Sequence, residues 1–505
     1  MVKLIAIGVD GGTLSIIKDL ANKGELPAFK KIMQNGSYGK LRSLNPPVTC
    51  PLWKSYSTGK NYAKLGSYGW IDVDLEEKRM RVNTSKHFRK YTEIWDYAGD
   101  AGLKSGVINM SLSFPPQKID GFFISGNAPS DEASYTYPKS LKEEITKKHN
   151  YKVSKSKLKM WIETPELVKE TMEVIKSRFD VAKAKVNDVD FMQIIAYRTD
   201  AVMHFMWQSD FMRDVYKLID KEIGELMDAA GKDCDFVIMS DHGFRTLDWI
   251  FYSNNWLRER GYLVEKKNAG DIFNRLGISR DLLFKITNAL HLTKIFKKLV
   301  PKSTLKSIKS WHGEIGGADT MYIIDWDKSK IIGQSAGAFY INREGKEKQE
   351  LIDQLVKELR ELKNPATGEK VIGDIVFKKD IYNGEFISTA PDLIGEPRDK
   401  VEINGSLGPK GLFSNEHHWQ ATHALNGMFF LYGPSFKNVK EEGKASLLDI
   451  MPTVLHAMGQ AIPTDVDGKV LEEYFVNKKS VAFRDPLPEK DETVTSTEKD
   501  SITPD

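Results

Sequence analysis

Cysteines, long apolar runs and an excess of one charge are scarce in this 505-residue sequence. The two cysteines, Cys50 and Cys234, cannot form a disulfide framework and fit a reducing compartment. No stretch reaches the roughly 18 apolar residues of a membrane span, and the N-terminus lacks a signal-peptide pattern. Lysine plus arginine (73) nearly balances aspartate plus glutamate (70). We therefore expect a cytoplasmic protein that does not bind nucleic-acid duplexes.

Strand and helix patterns alternate along most of the chain. An apolar strand (KLIAIGV) comes first, and later helical stretches lead into the strands DFMQIIAY and DFVIMS. Such alternation predicts an α/β fold whose mostly parallel sheet is covered by helices on both faces. The length favours one large domain with insertions, or two domains.

A basic stretch interrupts this pattern. Residues 270–311 contain nine lysines or arginines but only two acidic residues, and the spacing of apolar residues predicts an amphipathic helix in part of the stretch. It is either a helix packed by its apolar face, a cap over the site, or a membrane-surface helix. The polar C-terminus is expected to be disordered. We divide the chain into four parts. They are a first core segment (1–264), the helical insertion (265–315), a second core segment (316–478) with a small subdomain near 345–395, and the tail (479–505).

Aspartates and histidines are concentrated at four places. The first three follow predicted parallel strands, whose carboxyl ends form the functional edge of an α/β sheet. A mixed Asp/His set suits Zn²⁺ or Mn²⁺ better than Ca²⁺ or Mg²⁺, and six or seven ligands indicate two ions. The candidates are Asp10 after the first strand, Asp200 and His204 four residues apart, the neighbours Asp241 and His242, and His417, His418 and His423 in HHWQATH.

A threonine stands beside a cysteine in PPVTCPLWKSYSTGK. Pro51 suits the first turn of a helix that ends at Gly59, so Thr49 and Cys50 would lie at a helix N-terminus, where backbone N–H groups attract anions. A threonine hydroxyl is barely ionised at neutral pH and would need a metal ion to act as a nucleophile. The alternative is that Thr49 is an ordinary N-cap and Cys50 a buried apolar residue.

Together these motifs resemble the alkaline phosphatase superfamily, most closely its type I phosphodiesterase/nucleotide pyrophosphatase family. The resemblance runs from GVDGG to DIMPTVLHAMGQAIPTDVDGKVL, with TCPLW and STGKN as the nucleophile segment. It implies an alkaline-phosphatase-like core and a two-metal phosphohydrolase that forms a phospho-threonine on Thr49. It also implies two sets of ligands, one for each ion: Asp10, Thr49, Asp241 and His242, and Asp200, His204 and His423.

The sequence departs from this family where substrate binds. Leu52 replaces an asparagine that contacts a phosphate oxygen in nucleotide pyrophosphatases. The backbone N–H of Cys50, Lys54 and Arg198 are our candidates to replace it. We expect a phosphate ester of a small molecule, a lipid or a sugar as the substrate, and we do not carry over nucleotide specificity. Two alternatives stay open: a phosphomutase or phosphotransferase on the same core, and a phosphoryl- or glycan-binding protein without turnover.

Overall fold

The computed structural model describes residues 3–153, 158–266, 323–407, 411–439 and 442–490. Most of the predicted insertion and the last part of the predicted tail lie outside these residues and stay predictions. The prediction of a disordered tail is wrong for residues 479–490, because Phe483–Arg484 form a strand that pairs in parallel with Ile462–Pro463. Among the described helices, none has the length and the apolar character that crossing a bilayer requires.

Strands and helices alternate along the chain as the sequence predicts. The strands are β1 (Leu4–Val9), β2 (Ser37–Arg42), β3 (Ile71–Asp74), β4 (Arg79–Val82), β5 (Ser105–Met110), β6 (Gly121–Ser125), β7 (Thr136–Tyr137), β8 (Phe191–Ala196), β9 (Asp235–Met239), β10 (Gly243–Tyr252), β11 (Ile331–Gly333), β12 (Ala338–Ile341), β13 (Ile372–Phe377), β14 (Leu393–Pro397), β15 (Lys400–Asn404), β16 (Phe413–Ser414), β17 (Ala421–Ala424), β18 (Asn426–Tyr432), β19 (Gly443–Ser446), β20 (Ile462–Pro463) and β21 (Phe483–Arg484). The helices are α1 (Leu14–Asn22), α2 (Pro27–Asn35), α3 (Thr49–Thr58), α4 (Tyr62–Leu65), α5 (Ser85–Phe88), α6 (Ile94–Asp100), α7 (Leu141–His149), α8 (Pro165–Lys185), α9 (Arg198–Phe205), α10 (Asp210–Ala230), α11 (Ser253–Glu259), α12 (Gly345–Glu361), α13 (Lys378–Ile381) and α14 (Ile450–Ala457).

The chain divides into two compact units. All the predicted site residues except His417 lie in the first unit, and the predicted small subdomain lies in the second. The second unit also takes the β3–β4 hairpin and residues 247–264, 323–344 and 396–417, which the sequence prediction assigns to the core. The first unit consists of Met1–Leu65, Thr84–Thr246 and His418–Asp505, and the second of Gly66–Asn83 and Leu247–His417.

The first unit is built on a nine-stranded sheet with the strand order β19-β2-β18-β9-β1-β8-β5-β6-β7. Five of its eight strand pairs are parallel. On one face, Ile5 and Ile7 of β1 share a core with residues of α1, α2, α8 and α10. On the other face lie α3 and α14, and a Cβ on Gly8 would come within 2.4 Å of the Trp53 ring of α3. The predicted α/β class, with helices on both faces of a mostly parallel sheet, is confirmed.

The second unit has its own apolar core. One of its sheets has the strand order β11-β12-β14-β13 and is antiparallel throughout. Helix α12 contacts β12 and β13 and buries Leu351, Leu355 and Leu359, which recur every four residues along one side of the helix.

Candidate metal centre

Three neighbouring parallel strands bring most of the candidate ligands together. Asp10 follows β1, Asp241 and His242 follow β9, and α9, which carries Asp200 and His204, follows β8. Strand β1 lies between β8 and β9 and pairs in parallel with both. The carboxyl ends of the three strands therefore meet at one edge of the sheet, as the sequence predicts.

Helix α3 brings Thr49 to this edge. The helix begins at Thr49, and all ten of its residues are buried. It ends at Gly59, whose φ of 70° is the left-handed conformation that glycine adopts most readily. The predicted helix is thus confirmed. The Oγ1 atom of Thr49 lies 3.2 Å from Nε2 of His242, close enough for its hydroxyl to donate a hydrogen bond to that ring.

Four residues form what we call the inner set: Asp10, Thr49, Asp241 and His242. Nε2 of His242 lies 3.6 Å from Oδ1 of Asp10 and 3.4 Å from Oδ2 of Asp241. Both carboxylate oxygens are buried, and neither has a hydrogen-bond partner among the residues that the structure describes. Buried carboxylate oxygens are stable only when paired or bound to a cation, so this arrangement fits a metal ion.

Three residues form the outer set: Asp200, His204 and His423. The last comes from β17, which pairs with β10. Nε2 of His423 lies 3.2 Å from Oδ1 of Asp200 and 3.1 Å from Nε2 of His204, and the His204 and Asp200 atoms are 3.6 Å apart. These three atoms form a compact triangle of donors. His242 borders it, with Nε2 3.9 Å from Oδ1 of Asp200.

Each histidine of the two sets is held by a backbone carbonyl at Nδ1. A carbonyl only accepts hydrogen bonds, so Nδ1 carries the proton and the neutral ring presents a lone pair at Nε2. The Nε2 lone pairs of His204 and His423 face each other, which is unfavourable unless a cation lies beside them. The three bonds are His204 to Ala421 (2.9 Å), His242 to Gly243 (3.1 Å) and His423 to Pro47 (2.7 Å).

The electrostatics of the protein groups also fit a bound cation. Burial, and then the nearby carboxylates of Asp241 and Asp200, raise the pKa of Asp10 well above its usual value. Burial raises the pKa of Asp241 to about 8. Burial lowers the pKa of His204 to about 4 and holds the pKa of His242 well below its usual value, so both rings are neutral at neutral pH. Neutral imidazoles beside crowded carboxyl groups are the donors that Zn²⁺ and Mn²⁺ take.

Sequence reasoning missed the role of Trp53. Its indole N–H donates a hydrogen bond of 2.9 Å to Oδ2 of Asp10, which leaves Oδ1 turned towards His242. Trp53 follows Thr49 by four residues, so the two share one side of α3. That spacing was the available signal, and it connects the predicted nucleophile to an aspartate 39 residues before it.

The structure corrects the prediction that Lys54 contacts substrate. Its Nζ lies 2.9 Å from Oε1 of Glu93, and the side chains are only 2% and 0% exposed. Glu93 also accepts hydrogen bonds from Ser57 and Gln117. The charge of Lys54 is therefore used inside the fold, where it ties α3 to the start of α6.

Cys50 and Arg198 lie beside the ligand sets. Cys50 is the second residue of α3, and its side chain belongs to a buried cluster with Leu65, Phe88, Tyr91 and Leu112. Arg198 begins α9, and its Nη2 lies 3.0 Å from Oε1 of Glu170. The substrate contacts expected of the Cys50 backbone N–H and of Arg198 stay predictions.

Aromatic rings line the outer set. The Trp419 ring lies 4.2 Å from that of His204, and the neighbouring His418 stacks on Trp161 with 5.0 Å between ring centroids. His417 belongs to the second unit. Of the three histidines in HHWQATH, His423 is the one that the structure brings into a ligand set.

Comparisons with known proteins identify the family of the chain. A sequence model of the type I phosphodiesterase / nucleotide pyrophosphatase family matches residues 4–425. No curated protein matches the sequence.

Solved structures show the same fold at low sequence identity. Phosphonoacetate hydrolase from Sinorhizobium meliloti, in complex with phosphonoformate, is 13% identical with a TM-score of 0.57, over 91% of this chain and 95% of that one. Human ectonucleotide pyrophosphatase/phosphodiesterase 5 is 13% identical with a TM-score of 0.52, over 94% and 100%. An inactive variant of the murine protein, in complex with AMP, is 12% identical with a TM-score of 0.51, over 94% and 100%.

Proposed function

Because the chain belongs to the type I phosphodiesterase/nucleotide pyrophosphatase family, and is thus a metal-dependent hydrolase of phosphoric esters, we propose that it is a two-metal phosphodiesterase with Thr49 as its nucleophile. One observation carries this proposal. The inner and outer sets lie side by side, and the hydroxyl of Thr49 belongs to the inner set.

We assign one ion to each set and propose Zn²⁺, with Mn²⁺ as the alternative. The outer set offers two imidazoles and one carboxylate, and the inner set one imidazole, two carboxylates and the hydroxyl of Thr49. Such nitrogen and oxygen donors suit these metals. When bound, the ions would supply Lewis-acid stabilisation of the negative charge that develops on the attacking and leaving oxygens.

The residues of the chain position the reaction. In our proposal Oγ1 of Thr49 forms a bond to phosphorus while the bond from phosphorus to the leaving alcohol breaks. Thr49 loses its proton and the alcohol gains one. Water then breaks the bond between Thr49 and phosphorus and returns a proton to Thr49. The buried helix α3 and the hydrogen bond from Trp53 to Asp10 hold the nucleophile in place, which is what phosphoryl transfer requires most.

The proposed substrate is a phosphate ester of a small molecule, a lipid or a sugar. The AMP of the murine relative and the phosphonoformate of the Sinorhizobium enzyme share a phosphorus oxyanion, which supports this class. The proposed compartment is the cytoplasm, and it is supported by two buried cysteines that are not joined in a disulfide.

The test replaces Thr49 and measures metal-dependent cleavage of bis(4-nitrophenyl) phosphate. Thr49→Ala should lower kcat by about 10³-fold or more, whereas Thr49→Ser keeps a hydroxyl and should retain activity. Acid-quenched wild type should carry a 4-nitrophenyl phosphoryl group on Thr49 in a mass spectrum, and metal analysis should find two ions per chain. A Thr49→Ala variant as fast as wild type would exclude this nucleophile. Transfer of the 4-nitrophenyl phosphoryl group to an added alcohol in preference to water would favour a phosphotransferase.

A further inference from the structure

Exposed apolar side chains are concentrated in one short segment of the first unit. Six large apolar side chains are exposed in the described part of the chain, and three of them lie within residues 158–162. These are Leu158, Trp161 and Ile162, which are 38%, 42% and 47% exposed. We call them the apolar ledge. Single exposed apolar residues are common, but a cluster indicates a binding surface.

The ledge is continuous with the outer set. The Trp161 ring stacks on His418 with ring planes only 9° apart, and lies 6.2 Å from the ring of Phe205. His418 precedes Trp419, whose ring packs on His204. The ledge therefore leads to a candidate metal ligand through two ring contacts, and it lies beside the set that Thr49 does not join.

In our proposal, the apolar ledge lies on the side of the reacting phosphorus from which the leaving group departs. In the proposed function, Thr49 attacks from the inner set, and a group that leaves in line with the attack moves away from Thr49. The ledge adjoins the outer set, so it is on the path of the leaving group.

The surroundings of Trp161 distinguish between possible leaving groups. His418 covers a face of its ring, and Nζ of Lys159 lies over the ring at 5.9 Å from the centroid. His418 therefore occupies one of the two indole faces on which a flat ligand could stack. Leu158 and Ile162 instead extend the surface with aliphatic groups, which contact a hydrocarbon chain as well as they contact any other apolar group.

We propose that the apolar ledge binds the hydrocarbon chain of the leaving group, so that the substrate is a phosphodiester of a long-chain alcohol. This inference rests on the proposed function and specifies its substrate. The hydrophobic gain grows with each buried methylene group. Longer chains should therefore bind better until the ledge is covered.

The test uses n-alkyl esters of methylphosphonate, in which the alkoxy group is the one group that hydrolysis can release. Ethyl and octyl esters are compared below the concentration at which the octyl ester forms micelles, and methylphosphonate is measured by ³¹P NMR. Wild type should show a KM about tenfold or more lower for the octyl ester. Trp161→Ser and the double variant Leu158→Ser/Ile162→Ser should lose this preference, so that the ratio of the KM for the ethyl ester to the KM for the octyl ester falls towards one. Phe483→Ser, which removes an exposed apolar side chain outside the ledge, should keep the preference.

Three outcomes overturn the ledge proposal. The first is an equal KM for both esters in wild type, and the second is a chain preference that the ledge variants retain. The third is a thymidine ester that depends on Trp161 while the octyl ester does not, because that would mean ring stacking. Binding of both alkyl esters to Thr49→Ala, measured by calorimetry, separates the ledge from catalysis. Chain-dependent binding without any turnover by wild type would support the ledge and overturn the proposed function.

Discussion

The inner and outer sets offer the same kinds of donor atoms in very different surroundings. Asp10, Asp241 and His242 of the inner set are at most 1% exposed. In the outer set, the side chains of Asp200 and His423 are 26% and 22% exposed. The inner set is therefore built for fixed geometry around Thr49, whereas the outer set admits solvent and, in our proposal, the leaving group.

The largest effect should come from breaking the buried ion pair between Lys54 and Glu93, which anchors helix α3 beside the inner set. Lys54→Met leaves Glu93 buried without its cation, and removing one partner of a buried ion pair costs about 3–5 kcal/mol. Urea unfolding should detect this as a lower midpoint. Lys183→Met is the control, because Lys183 also pairs with a buried carboxylate, Glu222, but its own side chain is 19% exposed and the effect should be smaller.

The double variant Lys54→Met/Glu93→Gln sharpens this prediction. It removes both charges and keeps an amide that can still bond to Ser57 and Gln117, so it should recover part of the lost stability. If Lys54→Met alone were as stable as wild type, the view of α3 as an anchored helix would be wrong.

A smaller effect is expected at the hydrogen bond between Trp53 and Asp10. Trp53→Phe keeps a ring but loses the N–H that orients this ligand, and loss of such a bond typically lowers metal affinity or activity about 10–100-fold. Metal titration and kcat would both report it. Trp207→Phe is the matched control, since it loses an indole hydrogen bond to Thr246 that involves no metal ligand. Equal losses in the two variants would contradict a specific role for Trp53.

The sequence predicts the metal ligands better than it predicts the residues that hold them in place, and the reason is physical. Asp10, Asp200 and Asp241 each follow an apolar strand, and parallel strands end at one edge, so a local pattern was enough to bring them together. His423 has no strand-end signal of this kind. It reaches the outer set through the pairing of β17 with β10, and the family resemblance was needed to choose it among three histidines.

Long-range pairings explain what sequence reasoning missed. The sequence offers Lys54 as a replacement for the missing asparagine, and nothing in the local pattern connects it with its actual partner Glu93, 39 residues away. The apolar ledge was missed for a different reason. In the sequence, Leu158, Trp161 and Ile162 resemble ordinary core residues, and only the structure shows that they are exposed.

The last prediction concerns pH in the metal-free protein, where the pKa of a carboxylate in each set is shifted in the opposite direction. Burial raises the pKa of Asp241 to about 8, from a usual value of 3.8. Burial acts in the same direction on Asp200, but His204 and His423 outweigh it and hold the pKa of Asp200 below its usual value. Asp241 has its usual pKa in the unfolded chain and its raised pKa in the folded protein. Between about pH 4 and about pH 8, the folded protein therefore keeps a proton on Asp241 that the unfolded chain has released. Asp200 is ionised in both states over this range and contributes no slope.

Asp10 holds a proton in the same way, because its pKa is also raised. His204 and His242 act in the opposite direction below about pH 6.5, because the unfolded chain protonates these rings and the folded protein does not. The free energy of unfolding of chelator-treated protein should therefore fall most clearly as the pH rises from about 6.5 to about 8. Urea unfolding at several pH values would measure it. Asp241→Asn removes one of the two proton-holding carboxyl groups and should make this dependence less steep, while Asp200→Asn should leave it in place. Added Zn²⁺ should also flatten it in wild type, because a carboxylate that binds a metal ion is ionised in the folded state. A metal-free wild type as flat as Asp241→Asn would mean that the inner set is not the buried, proton-holding half of the site.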